Sequence, residues 1–204
     1  KNIWIATSNG INCIDYKTKK ITRFYPKSIN KECTTNIINR LLKHSDGNVY
    51  AFCNRSVFKC SMNQTVETVF PDIAIPSPTY SVAQAPDKDI YIGTESNGLY
   101  IYSENWKLKK HVPIDGIIAT ILPNNNGDIW LGLDETGICL FNKNKQTFTW
   151  LHKDNTNLNN NSIRTFVSYG DSSILVGTFR GLNILNKKDR TISPANINIA
   201  GKGG

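Results

Sequence analysis

Three histidines, His44, His111 and His152, are the side chains of this chain best suited to metal binding or proton transfer. None has a partner at the spacing of a metal motif such as His-Glu-x-x-His. The sequence also contains no Gly-x-Ser-x-Gly elbow, phosphate-binding loop or dinucleotide fingerprint. We therefore predict no metal site, no cofactor and no catalytic residue.

Three carboxylates, Glu95, Asp134 and Glu135, are the remaining candidates for chemistry. Glycoside hydrolysis needs a general acid and a second carboxylate opposed across a sugar. All three, however, fall in short polar turns, where acidic side chains are common because they are solvated. A glycosidase or lyase is therefore the least favoured function for this chain.

The segment of residues 154–161 is rich in asparagine and contains one aspartate, a composition that invites comparison with a calcium loop. Leu158 occupies a position where such a loop needs an oxygen ligand. A linker of turn-forming residues accounts for the segment better.

Five cysteines, an odd number, show no metal-type spacing. Cys13 and Cys139 occupy equivalent positions in predicted strands, where cysteine acts as a small buried apolar residue. Cys53 and Cys60 flank one predicted hairpin and could face each other across it. Free buried thiols are the favoured state, with a Cys53–Cys60 disulfide as the alternative.

Five short apolar segments, four of them centred on an aromatic residue, recur about forty residues apart. The elements that they form must position the polar side chains and cysteines described above. The centres of the five segments are Trp4, Tyr50, Tyr91, Trp130 and Leu175. Each is followed by a turn and a second apolar run, the turn residues being Gly10, Ser56, Gly98, Gly137 and Gly181. A period near forty with several short strands per repeat indicates the blades of a β-propeller. We predict an all-β propeller of about five four-stranded blades, with the central aromatic residues packed between blades.

One repeat shows all four predicted strands: an inner strand over residues 117–122, then strands over 129–132, 138–141 and 147–151. The second strand is apolar at successive positions because neighbouring blades cover both of its faces. The second repeat departs from this pattern at Ser56, which replaces glycine, and we predict a distorted hairpin there.

Both ends of the chain fall inside a predicted blade. The predicted blades span residues 1–26 together with 196–204, then 36–71, 79–113, 117–152 and 162–194. The segment 196–204 has the pattern of an inner strand followed by a turn. Either it completes the first blade and closes a five-bladed ring, or the blades are a fragment of a larger propeller.

Composition and charge favour a single domain of 204 residues that binds no nucleic acid. The net charge of +8 comes from lysines spread over predicted turns and outer strands, and does not form one basic stripe. No apolar run approaches the length of a membrane span, so we expect no membrane contact by this segment.

Two stretches resemble the repeat of the two-component regulator propeller family: residues 128–132 running to Gly137, and residues 89–94 running to Gly98. That repeat has approximately the form Asp-Gly-x-Ile-Trp-Ile-Gly-Thr, then Gly-Leu, then a strand ending in Phe-Asp or Phe-Asn. Residues 137–142 match this ending, and the asparagine-rich stretch from Phe148 to Ile163 is similar to the family's bridge between blades.

The resemblance implies the periplasmic or extracellular sensor region of a bacterial hybrid two-component system. Many members of the family recognise oligosaccharides, and dimerisation of the parent sensor is a further implication. This chain departs from the family pattern in holding only about five blades and no kinase, receiver or DNA-binding segment. The family offers no fixed catalytic residues to carry over.

We therefore expect a non-catalytic sensing segment that binds an oligosaccharide or assists sensor dimerisation. The alternative is a stand-alone lectin-like or protein-interaction propeller. The ligand face would consist of the loops between second and third strands and the links between blades. The candidate ligand-binding residues on it are Arg55, Glu95, Asn97, Asp134, Glu135, Phe179 and Arg180.

Overall fold

The computed structural model describes residues 2–31, 33–61, 63–68, 75 and 77–195. These residues form five antiparallel sheets, each with its strands in chain order. The prediction of an all-β fold with about five blades is confirmed. The segment 196–204, predicted to complete the first blade, lies outside the described residues.

The five sheets are numbered as blades in chain order. Blade 1 has three described strands, β1 (Asn2–Thr7), β2 (Gly10–Asp15) and β3 (Ile21–Phe24), and the short helix α1 (Pro26–Ile29) follows it. Blade 2 consists of β4 (Arg40–Lys43), β5 (Val49–Cys53), β6 (Ser56–Cys60) and β7 (Val66–Thr68). Blade 3 consists of β8 (Thr79–Gln84), β9 (Ile90–Thr94), β10 (Leu99–Tyr102) and β11 (Leu108–Val112). Blade 4 consists of β12 (Ile118–Pro123), β13 (Asp128–Leu133), β14 (Gly137–Asn142) and β15 (Thr147–Leu151). Blade 5 consists of β16 (Ile163–Tyr169), β17 (Ser173–Thr178), β18 (Gly181–Asn186) and β19 (Ile192–Pro194).

The apolar core is divided into four clusters, and each lies between two adjacent blades. Tyr50, Tyr91 and Trp130 are buried in these clusters, and Trp4 packs against the cluster between blades 1 and 2. The predicted packing role of the central aromatic residues is therefore confirmed. The inner strands β4, β8, β12 and β16 contact one another in order and line the centre of the array.

The hairpin of blade 2 is regular, and the predicted distortion is wrong. Its strands pair without a register shift from Val49 opposite Cys60 to Cys53 opposite Ser56. Asn54 takes the positive φ of 54° that the tight turn needs, so the glycine found in other blades is not required at Ser56.

The same register excludes the Cys53–Cys60 disulfide that the sequence left open. Cys53 lies opposite Ser56 and Cys60 opposite Val49, so the two cysteines are at opposite ends of the hairpin. All five cysteines are buried free thiols in this structure.

Candidate functional site

One end of the blades carries both the hairpins between second and third strands and the links between blades; we call this end the loop face. Backbone hydrogen bonds join the two sets of loops: Gly10 N donates to Asn36 O at 2.8 Å, and Gly137 N donates to Asn161 O at 2.8 Å. Because these bonds satisfy the polar groups of the loops, the loop face is a connected surface built from every blade.

Inner strands β8, β12 and β16 each carry a β-bulge directly after their first residue, close to the loop face. The residues in the bulges are Tyr80, Ala119 and Arg164. A bulge turns its side chain away from the regular alternation of the strand. Tyr80 and Arg164 are consequently exposed near the centre of the array, whereas the small Ala119 leaves the equivalent position in blade 4 open.

Arg164 joins two of the predicted site residues that lie on different blades. Its Nη1 donates to Asp134 Oδ2 at 2.9 Å, and its guanidinium carbon lies 5.6 Å from the centre of the Phe179 ring. The distance to the ring is within the range of a cation–π contact. Phe179 is 71% exposed, so the Arg164–Asp134–Phe179 patch presents an aromatic ring beside a fixed ion pair.

The asparagine-rich link between blades 4 and 5 is hydrogen-bonded to the blade that carries Phe179. Asn159 Oδ1 accepts from Thr178 Oγ1 at 2.7 Å, and Asn183, which is fully buried, donates to Asn157 O at 3.4 Å. These contacts hold the hairpin that carries Phe179 and Arg180 against the link between blades 4 and 5. Arg180 itself is an exposed turn residue.

Arg55 lies apart from that patch, on a hollow of about 330 Å³ between the link of blades 1 and 2 and the hairpin of blade 2. Cys33, Thr35, Cys53 and Ser56 are among the residues that line the same hollow. Two thiols beside an arginine side chain form a polar surface unlike that around Phe179.

The other predicted site residues have local roles in their own turns. Asn97 donates from Nδ2 to the Tyr100 hydroxyl at 2.9 Å, and its backbone oxygen lies 2.7 Å from His111 Nε2. Glu95 is exposed, and Glu135 takes a φ of 65° at the tip of its turn. The described contacts do not join these three residues to the Arg164–Asp134–Phe179 patch.

A second aromatic surface, which the sequence did not indicate, lies beside the hairpin of blade 4. Phe148 and Trp150 on outer strand β15 line a hollow of about 350 Å³ together with Asp115 and Thr136. The Trp150 ring is nearly parallel to that of His152, with 6.0 Å between ring centres. Alternation along β15 places Phe148 and Trp150 on one face of the strand.

The described part of the chain has no group of three histidine, cysteine or acidic side chains placed to hold a metal ion. It also has no helix long and apolar enough to cross a membrane.

Comparison with known proteins finds matches among solved structures only, since no family model and no curated protein matches the chain. The extracellular domain of the hybrid two-component system BT3049 of B. thetaiotaomicron is 24% identical, with a TM-score of 0.71 over 97% of this chain and 27% of that chain. The extracellular domain of BT4673 from the same organism is 19% identical, with a TM-score of 0.74 over 90% of this chain and 25% of that chain. A catalytically inactive variant of virginiamycin B lyase from Staphylococcus aureus is 17% identical, with a TM-score of 0.70 over 97% of this chain and 67% of that chain.

These similarities support the family resemblance drawn from the sequence at the level of the fold. The chain spans about a quarter of the length of these two extracellular domains. Both of these solved structures are extracellular domains.

Proposed function

We propose that this chain is an extracytoplasmic, non-catalytic segment of a bacterial two-component sensor that binds an oligosaccharide on its loop face. The fold similarity to extracellular sensor domains supports the sensing role. The observation that carries the ligand class is the exposed Phe179 ring held beside the Arg164–Asp134 ion pair.

Sugar rings have apolar faces and hydroxyl edges, so a site for them combines an aromatic surface with polar groups in fixed positions. Phe179 supplies the surface, Arg164 supplies the donor, and the ion pair with Asp134 fixes the orientation of the Arg164 guanidinium. Phe148 and Trp150 offer a second aromatic surface on the far side of the Asp134 hairpin. We expect an oligosaccharide that contacts both surfaces to bind more tightly than a single sugar.

Two further parts of the proposal concern partners. The parent sensor forms homodimers, and this segment contacts neither a membrane nor a nucleic acid. Basic residues are divided among separate turns of blades 1, 4 and 5, namely Lys17 and Lys19, Lys143 and Lys145, and Lys187 and Lys188. Lys143 is paired with Asp87 and Asp89.

The test is thermal unfolding of the chain against a panel of plant, host and microbial oligosaccharides. A ligand at about a hundred times its dissociation constant adds about 2.7 kcal/mol, which raises the midpoint by roughly 5–10 °C for a domain of this size. We expect Phe179→Ala to abolish the rise. Tyr16→Ala is the matched control, because Tyr16 is also an exposed ring with a cation, Lys19 Nζ, 4.2 Å from its centre, but lies at the opposite end of the blades.

Loss of the rise in both variants, or in neither, would contradict binding on the loop face. If no oligosaccharide shifts the midpoint of the folded chain, the ligand class is wrong.

A second candidate function is that of a lyase or glycosidase, favoured by the fold similarity to virginiamycin B lyase. Each oligosaccharide mixture is therefore analysed for cleavage after unfolding. Turnover that disappears in Asp134→Asn while the fold is retained would replace the sensor proposal with an enzymatic one.

A further inference from the structure

Cys33 and Cys53, which lie twenty residues apart in the sequence, line the same hollow as Arg55. Cys33 lies on the link between blades 1 and 2, and Cys53 is the last residue of β5. Cys33 Sγ donates to Ser56 Oγ at 3.3 Å, and Ser56 is the residue directly opposite Cys53 in the hairpin. Cys53 Sγ donates to Thr35 O at 3.3 Å, two residues along the chain from Cys33. Each thiol therefore reaches the immediate surroundings of the other, and both line the same hollow.

We propose that Cys33 and Cys53 form a redox-active pair, which a disulfide-containing oxidant converts to a disulfide that fastens the link between blades 1 and 2 to the hairpin carrying Arg55. The surroundings of the thiols set how readily they react. Burial raises the pKa of the Cys53 thiol to about 12, and the charge and hydrogen bonding of Cys33 contribute to the rise. A thiol with a raised pKa is a weak nucleophile, so the bond should form slowly and is measured after the thiols have equilibrated with the oxidant.

The two thiols differ in access to solvent, which sets the order of reaction. Cys33 is 9% exposed and Cys53 is 1% exposed, so the oxidant reaches Cys33 first. The Cys33 sulfur attacks the oxidant disulfide, forms a mixed disulfide and releases one thiol. The Cys53 sulfur then attacks the Cys33 sulfur, displaces the second thiol and completes the Cys33–Cys53 bond. Two electrons pass to the oxidant, and the two cysteine protons end on the two thiols released.

The expected role of the bond rests on the proposed extracytoplasmic location, because disulfides persist in oxidising compartments. Reduced, the link and the hairpin are held together by the two sulfur hydrogen bonds. Oxidised, they are joined covalently beside Arg55, and the shape of the hollow becomes fixed. The thiol chemistry itself does not depend on the location and is tested on the purified chain.

The test equilibrates the folded, purified chain with mixtures of reduced and oxidised glutathione, quenches with acid, unfolds, alkylates the remaining thiols and maps the peptides by mass spectrometry. We expect the five alkylated thiols of the reduced protein to fall to three, with one peptide pair joined through Cys33 and Cys53. A disulfide that closes a loop of this length should raise the thermal midpoint by about 6–12 °C.

Cys33→Ser should abolish both effects, and Cys33→Ala provides a second variant in case the buried hydroxyl disturbs folding. The matched control is Cys13→Ser with Cys60→Ser, which removes two other buried thiols and should leave the Cys33–Cys53 bond intact. Retention of all five thiols, a stable glutathione adduct on Cys33, or a bond between any other pair would overturn the proposal. None of these outcomes affects oligosaccharide binding at Phe179, so the two proposals fail separately.

Discussion

Trp106 shows how a single residue departs from the repeat to fill a space between blades. The turn between third and fourth strands has a residue of positive φ at the same place in every blade: Lys19, Gln64, Trp106, Gln146 and Arg190. In blade 3 this residue is a buried tryptophan with a φ of 61°. Its ring lies 4.7 Å from Tyr50 and 5.8 Å from His44, both in blade 2. The backbone strain of a bulky residue in this conformation is offset by the burial of its ring.

We predict that Trp106→Ala lowers the free energy of unfolding by about 3–5 kcal/mol, because it leaves a cavity between blades 2 and 3. Chemical denaturation measures the change. Arg190→Ala serves as the control, since Arg190 occupies the same turn position with a φ of 64° but is exposed. A cost as large for Arg190→Ala would show that the turn conformation, rather than the buried ring, sets the stability.

At the scale of the strand, the second strands of blades 3 and 4 each contain a glycine, Gly93 in β9 and Gly132 in β13. The absence of a side chain at these positions lets the inner strand of the next blade approach closely. A Cβ on Gly132 would lie 2.5 Å from Ile163 Cγ2, and one on Gly93 would lie 2.6 Å from Ile118 Cγ2. In blade 2 the equivalent residue is Phe52, and the first residue of the next inner strand is Thr79 instead of isoleucine. A small residue in the second strand thus accompanies a large residue in the next inner strand, and the reverse holds in blade 2. This indicates that the two side chains fill the same volume between blades.

We predict that Gly132→Ala destabilises the chain by about 1–3 kcal/mol through overpacking against Ile163. In a double-mutant cycle with Ile163→Ala, the double variant should lose less stability than the sum of the single variants. Strictly additive losses in denaturant unfolding would mean that the new methyl group does not press on Ile163.

A charged cluster joins blades 3 and 4 at the end opposite the loop face. Lys109 Nζ lies 2.6 Å from Asp89 Oδ1, and Lys143 from blade 4 reaches both Asp87 and Asp89. Burial alone would raise the pKa of Asp87, but its hydrogen bond and attraction to Lys143 hold that pKa below its ordinary value. The cluster links the blades at the end remote from the proposed ligand site.

At the scale of the whole molecule, the two end blades differ from the middle ones in having one face against which no other described blade packs. β9 and β13 are buried on both faces along almost their full length, whereas burial alternates along β1 and β17. Ile3 in blade 1 and Val167 in blade 5 are large apolar residues on these open faces, 47% and 53% exposed. Either closure of the ring or further blades of a larger array would cover them.

We predict that hydrogen exchange is graded along the array, because local stability follows the amount of buried apolar contact. Among the second strands, amides of β9 and β13 should exchange roughly tenfold or more slowly than those of β1 and β17. β17 is the matched comparison, because it is paired on both sides as β9 and β13 are, whereas β1 pairs only with β2 among the described strands and loses protection for that reason as well. Equal protection of all four strands would show that the end faces are covered in solution.

The sequence by itself determined the architecture of this protein: the repeat of about forty residues, the strands, the turns and the aromatic residues between blades. These properties follow from local turn chemistry and from apolar patterning, which a chain expresses over a few residues. The same pattern placed Asp134 and Phe179 on one face. The distortion predicted from Ser56 was wrong, because Asn54 takes the positive φ that we expected only glycine to supply.

Only the tertiary structure decided which side chains meet. Arg164 reaches Asp134 and Phe179 because a bulge in β16 redirects its side chain. Cys33 and Cys53 line one hollow because the link between blades 1 and 2 lies against the hairpin of blade 2. Contacts of this kind join residues on different elements, and their distances depend on bulges, register and link conformation, none of which leaves a periodic signal in the sequence. The repeat therefore specifies the scaffold, while the packing of blade on blade brings together the residues of the proposed site.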